Sequence, residues 1–387
     1  MINIFFLGLI SFFTDISAEM VYPLIPLYLT SAFGATPALI GVVEGIAESL
    51  AGLLKVYGGY ISDKFRKRKA VAFAGYSGGI FYKIILVFAT SWVGVLAARV
   101  VDRTGKGIRV APRNALVSES VDKDKLGKAF GMHKALDMAG AALGILITYF
   151  LLRNGAGDFD YKRVFLLAII PAVIGLFMFA FVKEKKIDSK KKANRISLKY
   201  LLKSFRTLDR RLKLYLLVVL LFTLGNSSNA FLLLKASAVG FSDPAVILIF
   251  FFYHVAVAAL ATPFGGLSDK IGRKKLLVMG YFIFAAVYFG FAFAPGKEFI
   301  AGMFILYGVY TAMVEGVERA FITDVAPPEL LATMHGMHAT VAGIALLPAS
   351  VVTGILWVAF GPVVPFVYGA AFALAAAIVL LLFLKPR

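Results

Sequence analysis

Cysteine is absent from the 387 residues of the chain, and charged residues make up only 16% of them. The first absence excludes disulfide bonds and thiol chemistry. The second is well below the roughly 25% of a usual soluble protein. Hydrophobic residues make up 60%, and phenylalanine alone contributes 36 residues. Because the surface of a soluble protein must face water, this composition excludes a soluble globular protein and predicts an integral membrane protein in contact with the lipid bilayer.

Acidic residues are also scarce, since 22 Asp and Glu stand against 41 Lys and Arg, a net charge of +19. In a soluble protein this excess would indicate a nucleic-acid partner. The basic residues, however, concentrate in alternate loops, with the largest groups at 64–69, 183–213 and 270–275. Retention of Lys and Arg on the cytoplasmic side produces this pattern. We therefore expect no nucleic-acid partner, a multi-pass protein of the cytoplasmic membrane, and both termini in the cytoplasm.

Apolar runs between polar breaks predict twelve membrane-spanning helices, the first of them retained rather than removed as a signal peptide. The runs of the first half are 4–29, 38–61, 70–89, 92–117, 127–152 and 162–182. Those of the second half are 213–235, 244–267, 276–294, 299–323, 334–357 and 363–384. The predicted fold is an all-α membrane protein with two pseudo-symmetric six-helix bundles, at 1–182 and 213–387, joined by a basic cytoplasmic linker at 183–212.

The two halves repeat each other in sequence. Gly131-Met132-His133 recurs as Gly336-Met337-His338, an offset of 205 residues from His133 to His338. At the same offset, Gly75-Tyr76 recurs as Gly280-Tyr281. Because each half has an even number of crossings, the two copies enter the membrane from the same side and form parallel repeats.

A glycine, acid and basic-residue motif follows the second span of each half. Its pattern is Gly, three residues, Asp, a basic residue, any residue, Gly and two basic residues. The second copy matches it at Gly265, Asp269, Lys270, Gly272, Arg273 and Lys274. The first copy matches at Gly59, Asp63, Lys64, Lys67 and Arg68, but Arg66 replaces the second glycine. With this motif in both halves, the whole chain resembles the major facilitator superfamily of secondary transporters.

The resemblance implies two bundles that rock about a central substrate site, lined by the first, fourth, fifth, seventh, eighth, tenth and eleventh spans. It also implies a charge cluster that latches an inner gate. The gate residues would be Asp63, Arg113 and Glu119 in the first half and Asp269, Arg273 and Asp324 in the second. Ile145 stands where drug/proton antiporters of this family usually have proline, which counts against that subgroup.

Ionisable residues inside the predicted spans are the main functional candidates, because each costs at least a few kcal/mol in hydrocarbon. A rise of about 1.5 Å per residue brings several of them near the middle of the membrane. These are Asp15, Glu48, Asp102, Arg103 and Asp137, with Glu19 and Glu44 slightly outward. We expect them to form a mixed carboxylate and guanidinium cluster in the first bundle, or alternatively an ion-paired network that only holds helices together.

The buried carboxylates are candidates for proton coupling. A gate that changes the hydration or pairing of a carboxylate also changes its proton affinity. The candidate proton carriers are Asp15, Glu19, Glu48 and Asp137, with His133 one turn from Asp137 as a candidate relay.

The basic residues of the fourth span indicate an anionic substrate, such as an organic acid, a phosphate ester or a metal chelate, since guanidinium groups offer paired donors. The substrate-binding candidates there are Arg99, Arg103 and Lys106. In the second half, Asn226 and Asn229 lie in a polar break typical of cavity-lining helices. The remaining candidates are Tyr253, His254 and Glu315.

These patterns predict a secondary active transporter for a small molecule, monomeric and coupled to protons or another ion. A drug/proton antiporter that exports amphiphilic or cationic compounds and a channel are the alternatives. No nucleotide-binding loop is present, which counts against ATP drive. An enzyme, a cofactor and a metal are not expected, because His335 and His338 alone would be an incomplete metal site.

Overall fold

The structure is a computed structural model that describes residues 2–65, 67–120, 126–153, 160–184, 208, 210–325 and 331–383. Within these ranges every regular element is a helix. The helices of the first half are α1 (Ile2–Glu19), α2 (Leu24–Phe33), α3 (Pro37–Phe65), α4 (Arg68–Phe88), α5 (Trp92–Glu119), α6 (Leu126–Arg153), α7 (Tyr161–Leu167) and α8 (Ile169–Met178), followed by a 3-10 turn at Phe179–Phe181. Those of the second half are α9 (Arg210–Gly225), α10 (Ala230–Ala238), α11 (Asp243–Ile271), α12 (Arg273–Ala292), α13 (Lys297–Val325), α14 (Leu331–Phe360) and α15 (Val363–Phe383).

Most of these helices can cross a bilayer. In the part of the chain that the structure describes, eleven helical segments are long and apolar enough to do so. Helix α5 is not among them, because its charged residues lower its hydropathy, although its 28 residues span about 42 Å. Together with α5, the segments account for the twelve predicted spans, and the prediction of an all-α membrane fold is confirmed.

The seventh predicted span is interrupted where the polar run predicts a break. Helix α9 ends at Gly225 and α10 begins at Ala230. Small polar side chains bond to the backbone groups that the break exposes, as Ser228 Oγ does by accepting from the Ala230 amide at 3.3 Å. Such internal satisfaction is what allows non-helical backbone at membrane depth.

By its contacts the chain forms two compact units. The first unit comprises 1–35 and 50–196, and in it α1 packs on α6 and α8, while α4 packs on α5. Glycines bring the backbones together at both interfaces. A Cβ at Gly140 would collide with the carbonyl oxygen of Phe12, and a Cβ at Gly75 would lie 2.8 Å from that of Gly105.

The second unit comprises 36–49 and 197–387, with α12 packed on α13 and α15, α11 on α13, and α9 on α14 and α15. It includes the first turns of α3, which lie so close to α14 that a Cβ at Gly45 would be 3.0 Å from the Leu347 carbonyl oxygen. Residues 36–49 therefore group with the second unit, whereas the sequence placed them in the first bundle. The division at 182 and 213 stays a prediction.

The outer surface of the described helices is strongly apolar. Several large side chains are more than half exposed, among them Phe88 at 76%, Phe360 at 67% and Phe177 at 64%. Such side chains suit contact with lipid tails and not with water. The chain is a multi-pass membrane protein.

Candidate functional site

The first unit contains a charged cluster on α5, formed by Arg99, Asp102 and Arg103. The Asp102 carboxylate lies 3.5 Å from an Arg99 nitrogen and 3.7 Å from Arg103 Nε. Both guanidinium groups are almost fully buried, at 1% and 5% exposure, and both lie over the Tyr22 ring. Arg99 reaches Asp102 because the two are three residues apart on one helix face, and Arg103 is adjacent to Asp102 in sequence. Two cations therefore share one carboxylate.

Lys83 of α4 extends this cluster. Its side chain is 2% exposed, and its Nζ donates to the Gly79 carbonyl oxygen at 2.8 Å. It also interacts electrostatically with Asp102. Lys83 is an ionisable residue inside the apolar run 70–89 and so a candidate by position, but the sequence assigned it no role in coupling or substrate binding.

A polar chain crosses three helices of the same unit, formed by Tyr76, Ser11, His133 and Asp137. Ser11 Oγ lies 3.1 Å from the Tyr76 hydroxyl and 3.0 Å from His133 Nε2. The other ring nitrogen, Nδ1, lies 3.4 Å from Asp137 Oδ1. The pairing of His133 with Asp137 was a sequence candidate, whereas Ser11 and Tyr76 were missed. The Tyr76, Ser11 and His133 side chains can each donate or accept a hydrogen bond, and Asp137 accepts one when ionised and can donate one when protonated.

Two arginines border the polar chain. The Arg109 guanidinium lies over the Tyr76 ring, 4.4 Å from its centroid, and Arg113 donates a hydrogen bond to Tyr76. Arg113 also donates to Asn114 Oδ1 from two of its nitrogens, at 3.2 and 3.3 Å. Arg113 was predicted as a gate residue, and the structure places it beside the polar chain.

Asp15 connects the remaining candidates of the first unit. It interacts electrostatically with Asp137, Arg109, Glu19 and Lys106. Arg109 also interacts with Asp102, which links the polar chain to the charged cluster. The structure thus brings together four of the five residues predicted near the middle of the membrane. The fifth, Glu48, lies on α3 within 36–49 and belongs to the second unit.

Lys106 differs from its neighbours because its side chain is exposed. An ammonium group on a spanning helix is tolerated where it meets water and not lipid. Lys106 is therefore the basic side chain of this group that is open to a ligand.

The second unit offers neutral hydrogen-bonding groups at the helix break. The Tyr307 hydroxyl donates to Asn229 Oδ1 at 2.9 Å, and Asn226 Nδ2 donates to the Tyr310 hydroxyl at 3.4 Å. Tyr253 stacks on Tyr307, with ring centroids 5.3 Å apart. The other two candidates of this unit are His254, whose Nδ1 lies 3.0 Å from the Phe250 carbonyl oxygen, and the exposed Glu315.

Glu44 is the buried carboxyl of the second unit nearest the helix break. It is 1% exposed, and its Oε2 accepts a hydrogen bond from Ser228 Oγ at 3.2 Å. The Ser228 amide in turn donates to Ser350 Oγ at 3.3 Å. This arrangement ties the first turns of α3 to α10 and α14.

A second polar group of this unit surrounds Glu318 on α13. Its Oε1 accepts from the Tyr281 hydroxyl at 3.3 Å and lies 3.4 Å from His338 Nε2. His338 lies in the Gly-Met-His segment that the two halves share, and Tyr281 lies in the shared Gly-Tyr segment. The repeated Gly-Tyr and Gly-Met-His segments were the signal that these side chains meet.

The predicted inner gate is described only in part. Arg273 is half-buried at the first residue of α12. The side chains of Asp63, Glu119, Asp269 and Asp324 lie outside the described part of the structure. In the described residues, no group of three or more His, Asp and Glu side chains is arranged to hold a metal ion.

The comparisons with known proteins agree with this architecture. The sequence profile described as Major Facilitator Superfamily matches residues 7–236 and 214–387. An uncharacterised MFS-type transporter of Methanocaldococcus jannaschii is 36% identical over 385 residues, which cover 98% of this chain and 94% of that protein.

Solved structures show the same fold. A mutant of the nucleoside transporter NupG superimposes with a TM-score of 0.84 at 12% identity, covering 99% of this chain and all of that one. The D-xylose-proton symporter superimposes with a TM-score of 0.79 at 16% identity, covering 99% and 97%. Profile, relative and fold lead to one conclusion. The chain is a transporter and not an enzyme, and it belongs to the major facilitator superfamily.

Proposed function

We propose that this transporter moves a small anionic molecule across the cytoplasmic membrane by alternating access, coupled to protons. It would act as a monomer with both termini in the cytoplasm, in line with the distribution of its basic residues. The observation that carries the coupling proposal is the polar chain from Tyr76 through Ser11 and His133 to Asp137, with Asp15 beside it.

Proton coupling follows from the electrostatics of this chain. Asp15 and Asp137 are two interacting carboxyl groups in a membrane-embedded unit, and two neighbouring carboxylates favour holding a proton between them. Arg109 and Lys106 act in the opposite direction when they approach. A movement that changes the distance between carboxyl and cation therefore takes up or releases a proton. His133 would carry that proton between Asp137 and Ser11, and Glu19 and Glu48 remain proposed carriers.

The excess of cations in the first unit supports an anionic substrate. Six basic side chains of the described network stand against four acidic ones. The basic residues are Lys83, Arg99, Arg103, Lys106, Arg109 and Arg113, and the acidic residues are Asp15, Glu19, Asp102 and Asp137. An anion would balance the surplus, with exposed Lys106 making the first contact and the charged cluster behind it. Asn226, Asn229, Tyr253 and His254 would contribute neutral contacts.

Exposed Glu315 is the observation that favours the alternative, an exporter of cationic or amphiphilic compounds. The two substrate classes are separated by thermal stabilisation of the purified protein. Organic acids, phosphates and metal chelates form one arm, and cationic dyes form the other. Stabilisation by the cationic arm alone would replace the anion proposal.

A ligand of the first arm should bind about tenfold more weakly to Lys106→Gln, because a charge-assisted hydrogen bond is worth about 1.5 kcal/mol or more. Exposed Lys297 provides the control, Lys297→Gln.

The coupling proposal is tested with the ligand so identified, in proteoliposomes. A gradient of one pH unit supplies about 1.4 kcal/mol per proton, enough for about tenfold accumulation. We expect Asp15→Asn, His133→Gln and Asp137→Asn to lose this accumulation and to retain counterflow, which needs no net proton movement. Exposed Glu298 gives the control, Glu298→Gln, which should behave as wild type. Accumulation at the wild-type level in all three variants would refute coupling at this chain, and flux that never saturates would indicate a channel.

A further inference from the structure

The surroundings of Glu318 in the second unit form a partly buried polar site, in which the Glu318 side chain is 19% exposed and the His338 side chain 21%. Tyr281 of α12 and His338 of α14 contact the same carboxylate oxygen, at 3.3 and 3.4 Å. Tyr215 of α9 stacks on the His338 ring, with centroids 6.2 Å apart and planes at 16°. Side chains from four helices thus converge on one carboxyl and one imidazole.

The contact between Glu318 and His338 needs a hydrogen, either on Nε2 of the neutral or protonated imidazole or on the carboxyl. An imidazole nitrogen without hydrogen and an ionised carboxylate oxygen both present lone pairs, which repel at this distance. The Tyr281 hydroxyl already donates to Oε1, so it cannot supply the missing hydrogen to His338. The contact is favourable only when either Nε2 or the carboxyl holds a proton. We name these two groups the acid–imidazole pair.

One wall of the site has an unused hydrogen-bonding group. The Tyr215 side chain is 1% exposed, and its hydroxyl has no hydrogen-bond partner among the described residues. It lies close enough to Glu318 to interact with it electrostatically. An unsatisfied buried hydroxyl costs about 1–3 kcal/mol unless the site admits water or a proton-bearing group. Tyr215 therefore favours hydration of the acid–imidazole pair, and hydration gives a proton a path.

The repeat shows that this pairing is more than an inherited histidine. His133 and His338 are equivalent at the offset of 205, and each has a carboxylate 3.4 Å away. The two carboxylates are not equivalent. The position matching Asp137 is Ala342, and the position matching Glu318 is Arg113. Each half has thus obtained its acid from a different helix, as expected if the imidazole needs one for its role.

We propose that Glu318 and His338 form a second proton-binding site, in the second unit, separate from the polar chain of the first. The titratable groups that face it are Tyr215 from α9, Tyr281 from α12 and Tyr310 from α13 itself. Along these helices the neighbouring charged or titratable residues are Arg211 and Lys213 before Tyr215, Glu315 one turn before Glu318, and His335 one turn before His338. Helix α11, which also packs on α13, carries the titratable residue His254 and, near its end, the exposed Lys270.

The test counts protons directly and needs no transported substrate. Purified protein in detergent is moved from about pH 8.5 to about pH 5.5, and the protons taken up per molecule are measured. The control Glu298→Gln removes an exposed carboxyl outside the pair and should match wild type. We expect Glu318→Gln and His338→Gln each to take up about one proton fewer, and the double variant also about one fewer, because the pair shares that proton.

Unchanged uptake in both single variants would overturn the proposal. Loss in one of them alone, or loss of two protons in the double variant, would overturn the shared site and leave independent groups. A variant that keeps both the Glu318 carboxyl and the His338 imidazole controls for a loss of proton uptake that misfolding would cause. Tyr281→Phe should keep the proton count and change the pH at which the proton is taken up. Since Asp15, His133 and Asp137 are intact in all these proteins, the outcome is independent of coupling at the polar chain.

Discussion

The two units share a repeat but fill it with different chemistry. Tyr76 and Tyr281 are equivalent, and in each unit the tyrosine hydroxyl bonds to a polar side chain of a neighbouring helix. The glycine before each tyrosine brings two helices together. A Cβ at Gly75 would lie 2.7 Å from Arg109 Cβ, and a Cβ at Gly280 would collide with Val314, which is the position equivalent to Arg109. The backbone arrangement is therefore repeated even where the side chain is not.

Where the units differ, charge in the first is replaced by phenol or by opposite charge in the second. The equivalent pairs are Lys83 and Tyr288, Asp102 and Tyr307, and Arg113 and Glu318. The second unit is instead rich in stacked rings, such as Phe222 on Tyr281 and Phe284 on Tyr288, each with centroids 4.0 Å apart. A phenol keeps a hydrogen bond without the cost of a buried charge. We therefore expect proton transfer to occur mainly in the first unit and, in the second unit, at the acid–imidazole pair.

The largest effect on stability that we predict comes from a change in backbone packing and not from a change in charge. Gly140 of α6 lies against the Phe12 carbonyl oxygen, whereas the equivalent residue of the second unit is Ala345, buried at 1% exposure. Placing the residue of the second unit into the first, as Gly140→Ala, forces a methyl group against rigid backbone. We expect the free energy of unfolding in detergent to fall by about 3 kcal/mol.

The reverse exchange, Ala345→Gly, provides the matched control. It removes only a methyl group and should cost about 1 kcal/mol. Equal effects of the two substitutions would show that α1 and α6 are not in backbone contact, and the repeat would then be closer in packing than the structure indicates.

Arg113 and Glu318 are equivalent positions of opposite charge, and neutralising either one should lower the unfolding free energy less than Gly140→Ala does. Arg113→Gln removes a cation that interacts with both Asp15 and Asp137, so we expect a loss of about 2 kcal/mol in unfolding free energy. Glu318→Gln should cost less than about 1 kcal/mol, because a glutamine oxygen still accepts from Tyr281. Denaturation of both variants in the same detergent measures the difference. Arg113→Lys should recover much of the loss, and a larger effect at Glu318 would reverse the comparison.

Helical periodicity was sufficient to predict much of this architecture. The apolar runs gave the spans, and the run from Asn226 to Asn229 gave the break between α9 and α10. The charged cluster of Arg99, Asp102 and Arg103 was also predictable, because its contacts join residues one or three positions apart and depend on one helix alone.

Contacts between helices were beyond such reasoning. Ser11 and Tyr76 are 65 residues apart, and the packing of α1 against its neighbours decides that they meet. The same holds for Glu318 and His338 on α13 and α14, and for the first turns of α3, which group with the second unit. Periodicity shows which face of a helix is polar, but it does not show which helix that face meets.

The smallest predicted effect tests the neutral chemistry of the second unit. Tyr307, which is equivalent to Asp102, donates to Asn229 at 2.9 Å, while the Tyr310 bond with Asn226 is longer, at 3.4 Å. Buried hydrogen bonds in membrane proteins contribute about 0.6 kcal/mol on average. Tyr307→Phe should therefore lower the unfolding free energy by about that amount, and Tyr310→Phe by less, measured in one denaturation series. Since neither phenol holds a charge, both variants should retain the wild-type proton uptake. If either variant took up one proton fewer, the second unit would contain a proton-binding group besides the acid–imidazole pair.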